Sequence, residues 1–522
     1  MALPLAGALA SLLASQAAKA RRLAWIFPAA GATLALATAW LMRGLPFETT
    51  IGLWAPVSMT GSPLILAGSL PGASIIIFAA AAQWAASLHP DERELRPHHT
   101  LAALTFSALV MTAFAGSFVT LLVGIGLVDL LSLLTGLLRG RNAHQVITDG
   151  LFRGASLALF TVAVVLYAAA DGSLYLPLAA LPDRFMGFIT VGLALRLGLA
   201  PLRATAGHFH DSHWTTQAGS IASLIVLEKL IAAGAPEHRA WFFALALLTV
   251  LFAVALGGIS SRRANLLSDV DAGLLCLAAT SAVIGQPGVV AVSAGGWLLA
   301  TTLLGQPSIA ATALVRRVRS VGLAAGALCA IGAPATAGFI GRSGVVDTWA
   351  GRGLGGAVLI AGFTAALALL VFGSLRLIRL RGGGQPVEQP PIYNILGATA
   401  GGLLIAHVFA FGVFPELAGA PSLPDALARN GALGWIAWLT ALAAGAAALW
   451  LEPLWIGAFD PHRQRLCDVL GLGWLHAILD GAMLRIGTPL SRLFTVLESR
   501  SALLWTIVFL LIFVLVSRPG GP

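Results

Sequence analysis

The chain has 522 residues, of which 58% are hydrophobic and only 10% charged, with a formal net charge of +9. With a mean hydropathy of +0.89, this composition excludes a soluble globular domain and fits a polytopic membrane protein. The positive charge does not imply nucleic acid as a partner. The basic residues sit in short loops between apolar runs, where cytoplasmic loops of a membrane protein carry them.

Met1 to Gln16 is apolar and is followed by Lys19, Arg21 and Arg22. A cleaved signal peptide carries its charges before the apolar core, so this stretch reads as a short first membrane helix. Apolar runs follow at about 22–42, 64–88, 101–118, 120–138, 149–170, 184–202, 215–234 and 239–259. A second series lies at about 266–285, 287–314, 320–341, 354–378, 393–415, 433–456 and 502–517. By the length a bilayer demands, that makes about 16 spans. Placing the first loop inside also puts Arg139/Arg141, Arg262/Arg263, Arg316/Arg317/Arg319 and Arg376/Arg379/Arg381 in the cytoplasm. The expected location is the cell membrane, the inner membrane of a bacterium or archaeon, with many passes.

Residues 460–500 break the pattern by mixing charges with apolar residues at helical spacing. Leu466, Leu470, Trp474 and Ile478 share one face, which predicts a helix over about 464–486 lying on the membrane surface. Cys276, Cys329 and Cys467 show neither metal-site nor disulfide spacing and read as apolar filler.

The functional lead is the stretch Phe185 to Ala233. It contains an apolar helix interrupted by Arg196 and then Pro201, a connection dense in histidine, and a second apolar helix with Glu228 and Lys229. A charge in mid-membrane costs roughly 2.5–3.5 kcal/mol on insertion scales, and broken helices beside buried charges are how transporters build ion sites. Asp129 lies within LLVGIGLVDLLSLLTGLL, and Arg342 follows CAIGAPATAGFIGRSGVV, where Pro334 predicts a second broken helix. Asp269 and Asp271 read either as polar-cavity residues or as helix-start carboxylates.

His208, His210, Asp211 and His213 offer enough ligands for zinc or iron. They lie in a connection without helical i, i+4 spacing, and a water-facing loop that feeds protons to the preceding helix is the preferred reading. No metal is assigned. With no helix-borne histidine pair for haem, no P-loop and no GxGxxG after a strand, no cofactor is assigned either.

Two breaks, each with an arginine, suggest an all-α polytopic fold with two inverted five-helix repeats, each with a broken helix. The expected divisions are 1–100 for N-terminal membrane helices, 101–259 and 260–382 for the two repeats, and 383–456 for C-terminal membrane helices. Residues 457–522 would hold the amphipathic helix and a final membrane helix.

These residues resemble the antiporter-like proton-conducting subunits of respiratory complex I, Mrp cation/proton antiporters and membrane-bound hydrogenases. The resemblance covers about residues 1–380 and, more loosely, the C-terminal surface helix. The glutamate of the family's fifth helix falls on Asp129. The lysine of its KxxxxPFH pattern falls on Arg196, with the proline on Pro201. Its eighth-helix lysine, after an AGS stretch, falls on Lys229. Its GxPPxxGFxxK pattern matches GAPATAGFIGR, placing that lysine on Arg342, and the arginine-bearing SLRLIRL fits its thirteenth helix. Two departures stand out. The HxxxHAxFKAxLF pattern of the eleventh helix is replaced by AVSAGGWLLATTLLGQP, with Ser293, Trp297 and Thr301 in place of titratable groups. The family's seventh-to-eighth connection is replaced by RATAGHFHDSHWTTQAGS.

The resemblance implies a non-catalytic membrane subunit of an assembly that couples redox or ion chemistry to proton translocation, as in an NADH-quinone oxidoreductase-like complex. Its partners would be other membrane subunits, protons or monovalent cations, and the lipid bilayer. Asp129, Lys229, Arg196, Arg342, His208, His210 and His213 would line the proton path. Lys229 would exchange the proton and Asp129 would pair with it or with Arg196. Arginine keeps its proton where a desolvated lysine cycles, so Arg196 and Arg342 are expected to be fixed countercharges. Two other readings remain: a structural subunit that has lost conduction, and a membrane partner of an inorganic-carbon-uptake, CO2-hydrating complex.

Overall fold

In lipid, a backbone must satisfy its own polar groups, and apolar runs rich in alanine and glycine do so as helices. The computed structural model follows this rule almost throughout. It describes residues 2–13, 26–34, 37, 41, 48–51, 64–87, 96–138, 143–170, 172–176, 179–199, 214–231, 240–258, 263–305, 313–380 and 391–454. Pro201, the His208/His210/Asp211/His213 connection, Cys467 and the amphipathic segment at 464–486 lie outside the described residues.

The helices are α1 (Ala2–Leu13), α2 (Leu70–Ser87), α3 (Arg96–Ala113), α4 (Phe118–Leu138), α5 (Ala143–Ala169), α6 (Asp183–Leu197), α7 (Trp214–Leu230), α8 (Ala240–Gly258) and α9 (Arg263–Thr280). They continue as α10 (Pro287–Gly305), α11 (Ala313–Ile331), α12 (Ala337–Ile340), α13 (Val345–Ala350), α14 (Gly353–Arg379), α15 (Pro391–Val413), α16 (Leu423–Arg429) and α17 (Ala432–Trp450). The protein is all-α and polytopic. Among the described residues six helices are long and apolar enough to cross a membrane: in α4, α5, α9, α10, α14 and α17. Shorter apolar helices within α1, α2, α8 and α15 accompany them.

Burial places α10 at the centre: 89% of its apolar window is covered by protein, against 22% for α17. It packs on α2, α7, α9 and α11. Around it, α17 and α4 leave Leu433, Ile436, Leu439, Leu127 and Leu130 exposed, the pattern expected of a lipid-facing side. At one edge Arg376 of α14 joins three helix ends. Its Nε donates to Glu452 Oε1 at 2.7 Å just beyond α17, and its Nη1 donates to the carbonyl of Gly258 at the end of α8.

A departure from the sequence reading lies at residues 64–67. That apolar segment is not the start of a span but strand β2 (Leu64–Ala67), antiparallel to β1 (Glu48–Ile51) with Glu48 opposite Ala67. The cause is the helix start just after it. Ser69 caps α2, its Oγ accepting from Gly72 N at 3.0 Å, and Pro71 occupies the first turn, where a missing N–H costs nothing. Asp269 and Asp271 also move: α9 begins at Arg263, so both lie beyond its first turn rather than at a helix start.

Both arginine-bearing breaks close by one hydrogen-bond pattern. At the end of α6, Gly198 is left-handed (φ 63) and donates to Leu195 O at 3.1 Å, while Leu199 donates to Ala194 O at 2.9 Å. At the end of α11, Gly332 (φ 73) donates to Cys329 O at 3.1 Å, and Ala333 donates to Leu328 O at 2.9 Å. This is the Schellman termination, which ties off the carbonyls a broken helix leaves open. After α11 the chain turns through Pro334 and a left-handed Ala335 (φ 63) before α12. A side chain at Gly332 would be strained by its φ, and its Cβ would lie 2.9 Å from Arg342 Nη1. Gly332→Ala is expected to destabilise the protein by about 1–2 kcal/mol, read as a lower thermal midpoint of the detergent-purified protein.

Candidate ion-pair site

Asp129 sits midway along α4, and Arg196 in the last turn of α6. Arg196 Nη1 and Nη2 donate to Asp129 Oδ2 and Oδ1, each at 2.6 Å. The arginine side chain is 0% exposed and the aspartate 13%. Two parallel, charge-assisted bonds occupy both carboxylate oxygens, the strongest geometry available to such a pair. Arg196 Nε is buried with no hydrogen-bond partner among the described residues. A second ion pair stands beside the first. Arg153 of α5 donates to Asp149 one turn earlier at 2.6 Å and also lies within the electrostatic reach of Asp129. Gly219 of α7 makes room for the Arg153 guanidinium, which occupies the space where a Cβ would stand. The i, i+4 spacing of Asp149 and Arg153 was visible in the sequence, but its proximity to Asp129 was not.

Lys229, in the last turn of α7, does not pair with Asp129. Its electrostatic partner is its neighbour Glu228, which is 4% exposed. Glu228 Oε1 lies 3.5 Å from Ser69 Oγ at the start of α2, and Oε2 has no hydrogen-bond partner among the described residues. Helix α7 packs on α2, α3, α4 and α10, so Glu228 is buried inside the helix assembly while Lys229 is half-buried.

Arg342 follows α12 close to Gly332, and its Nη1 is buried without a hydrogen-bond partner among the described residues. The structure therefore brings Asp129 and Arg196 together but leaves Arg342 and Lys229 apart from them; the three histidines lie outside the described residues. Trp297 of α10, where the resemblance places a titratable group, donates through Nε1 to Asp271 Oδ1 at 2.8 Å. The same oxygen accepts from Gln217 Nε2 of α7 at 3.2 Å. Thr301 turns its hydroxyl back to the Trp297 carbonyl at 2.9 Å. This bridge between α7, α9 and α10 was not legible in the sequence. Among the described residues, no cluster of three His, Cys, Asp or Glu side chains is placed to hold a metal ion.

Removing one member of the Asp129–Arg196 pair leaves a buried charge, at a cost of about 3–5 kcal/mol. Asp129→Leu and Arg196→Leu are each expected to lower the thermal midpoint of the purified protein sharply. The double variant should recover most of the loss, which a double-mutant cycle measures.

No family model matches the sequence, and no curated protein matches it. Solved structures do. A chain of the Mrp complex from Dietzia sp. DQ12-45-1b superposes with a TM-score of 0.73 at 15% identity, covering 100% of this chain. This protein spans 63% of the length of that Mrp chain. A chain of the membrane-bound sulfane sulfur reductase, an archaeal respiratory membrane complex, gives 0.66 at 14% identity, covering 98% of both chains. A chain of respiratory complex I from Thermus thermophilus gives 0.60 at 19% identity, covering 80% of this chain and 98% of that one. The chain thus shares its fold with chains of Mrp, respiratory complex I and sulfane sulfur reductase membrane complexes, the kind of assembly to which its charged helix motifs pointed.

Proposed function

We propose that this protein is an antiporter-like membrane subunit of a multi-subunit complex, coupling redox or ion chemistry in its partners to proton translocation. Residues 101–259 and 260–382 would be its two inverted repeats, each ending a helix at a glycine beside a basic residue. The observation that carries the reading is a buried carboxyl group, Glu228, followed by a half-buried Lys229 on α7, which packs on the α4 and α6 that hold the Asp129–Arg196 ion pair. Ionisable side chains are expensive inside a membrane and mark ion routes when they are retained.

The two halves differ in what they offer a proton. The first holds Lys229, Glu228 and Asp129. In the second, the Trp297 indole occupies Asp271 and carries no titratable proton at neutral pH. A subunit that has kept the fold without conduction is the second reading. Arg196 favours it, because a guanidinium that never deprotonates holds both oxygens of Asp129. Proton uptake by proteoliposomes of the whole assembly separates the two. Lys229→Ala should abolish uptake, whereas Trp297→Ala should leave coupling largely intact. Unchanged flux in a well-folded Lys229→Ala assembly would establish the structural reading instead.

A further inference from the structure

Both oxygens of the Asp129 carboxylate accept from a guanidinium nitrogen at 2.6 Å. Glu228 is the opposite case. It is 4% exposed, and Ala218, Ile221, Leu224, Ile225 and Leu227 of its own helix are fully covered around it. Its one hydrogen-bond contact is 3.5 Å to Ser69 Oγ, at the long limit for such a bond. That hydroxyl already accepts from Gly72 N as the cap of α2. Oε2 has no partner among the described residues. Lys229 stands next to it in the same turn, and among the described residues no ion pair within 4.0 Å joins the Lys229 nitrogen to a carboxylate. A carboxylate buried without its hydrogen bonds is costly unless it holds a proton or a cation.

On the reading of this chain as a proton-translocating subunit, we propose that Glu228 is a proton-binding carboxylate that takes up and releases the mobile proton. Glu228 on α7, rather than Asp129, is then the acid on the route. When the proton leaves, the Glu228 O–H bond breaks, its electron pair stays on the oxygen, and a new O–H bond forms on a water molecule of the route. The N-terminus of α2, reached through Ser69, stabilises that carboxylate while it lasts. Asp129 and Arg196 stay paired as a fixed dipole.

The test uses the assembled complex in membrane vesicles. Dicyclohexylcarbodiimide adds to protonated carboxyl groups in apolar surroundings, and peptide mass spectrometry locates the adduct. Glu228 should be labelled in the wild type and in Lys229→Ala, and the adduct should be lost in Glu228→Gln. Proton uptake should fall at least about tenfold in Glu228→Gln, and by less in Ser69→Ala. An unlabelled Glu228 in the intact wild-type complex overturns the proposal, even where Glu228→Gln fails to assemble. Shielding of Glu228 by sodium overturns it too, in favour of a metal-cation site. Full uptake in Glu228→Gln, with uptake abolished in Lys229→Ala, removes Glu228 from the route and leaves the translocating function standing. Full uptake in both variants removes that function as well.

Discussion

The arrangement rests on one constraint: a guanidinium that cannot lose its proton has been placed where water does not reach it. Arg196 has no exposed side-chain surface, and its charge persists at any physiological pH. A carboxylate must therefore stay within bonding distance. Helix α4 supplies it from mid-helix, and α6 ends at Leu197, so that Arg196 lies in its final turn. The guanidinium there also meets the negative end of the α6 dipole, a second favourable term. Such a pair is not kept for stability, since apolar residues of similar volume generally serve as well or better. Its retention in an otherwise apolar helix set fits a role in electrostatics.

The two glycine terminations show how the backbone accommodates these charges. Gly198 and Gly332 each tie off two carbonyls with the same pair of bonds, so each helix ends inside the protein with two of its four open acceptors satisfied. Beyond Gly332 the chain continues through Pro334, Ala335 and the short α12 before reaching Arg342. Among the described residues no carboxylate is matched to that arginine as Asp129 is to Arg196. An acid of the second half, Asp271, is held by Trp297 and Gln217 instead. The asymmetry is one of chemistry imposed on a shared helix geometry.

Much of the helical architecture was legible because apolar length is a direct consequence of bilayer thickness. The break at Pro334 was legible too, since proline and clustered glycine leave few alternatives. For α6 the sequence predicts a break at Pro201, but the helix ends earlier, at Gly198; a left-handed glycine sets the boundary. Residues 64–67 were misread because hydropathy cannot distinguish the first turn of a span from a strand leading into it. The resemblance brought Asp129 and Arg196 to attention, and charge chemistry made them partners. Ser69 and Glu228 were beyond reach: 159 positions separate them, and no periodicity links a helix cap to an acid on another helix. The Trp297–Asp271 bond was hidden for the same reason, because packing alone decides it.

At Arg196 and Arg342, where the sequence resemblance places lysines, the distinction between fixed and mobile charge becomes sharper. A lysine in a dry site can give up its proton; an arginine there remains a source of field. With Arg196 and Arg153 both beside Asp129, this region holds two permanent positive charges against Asp129 and Asp149. Little net charge is left to swing when a proton passes nearby. On the proposed reading, such a neutral and rigid group acts on α7 as a constant bias. The groups that change state are then confined to α7, at Glu228 and Lys229, and no arginine need move. Gly219 belongs to this logic. It lets the Arg153 guanidinium of α5 lie against α7 itself, so the fixed charge meets the titratable helix at a point nine residues before Glu228.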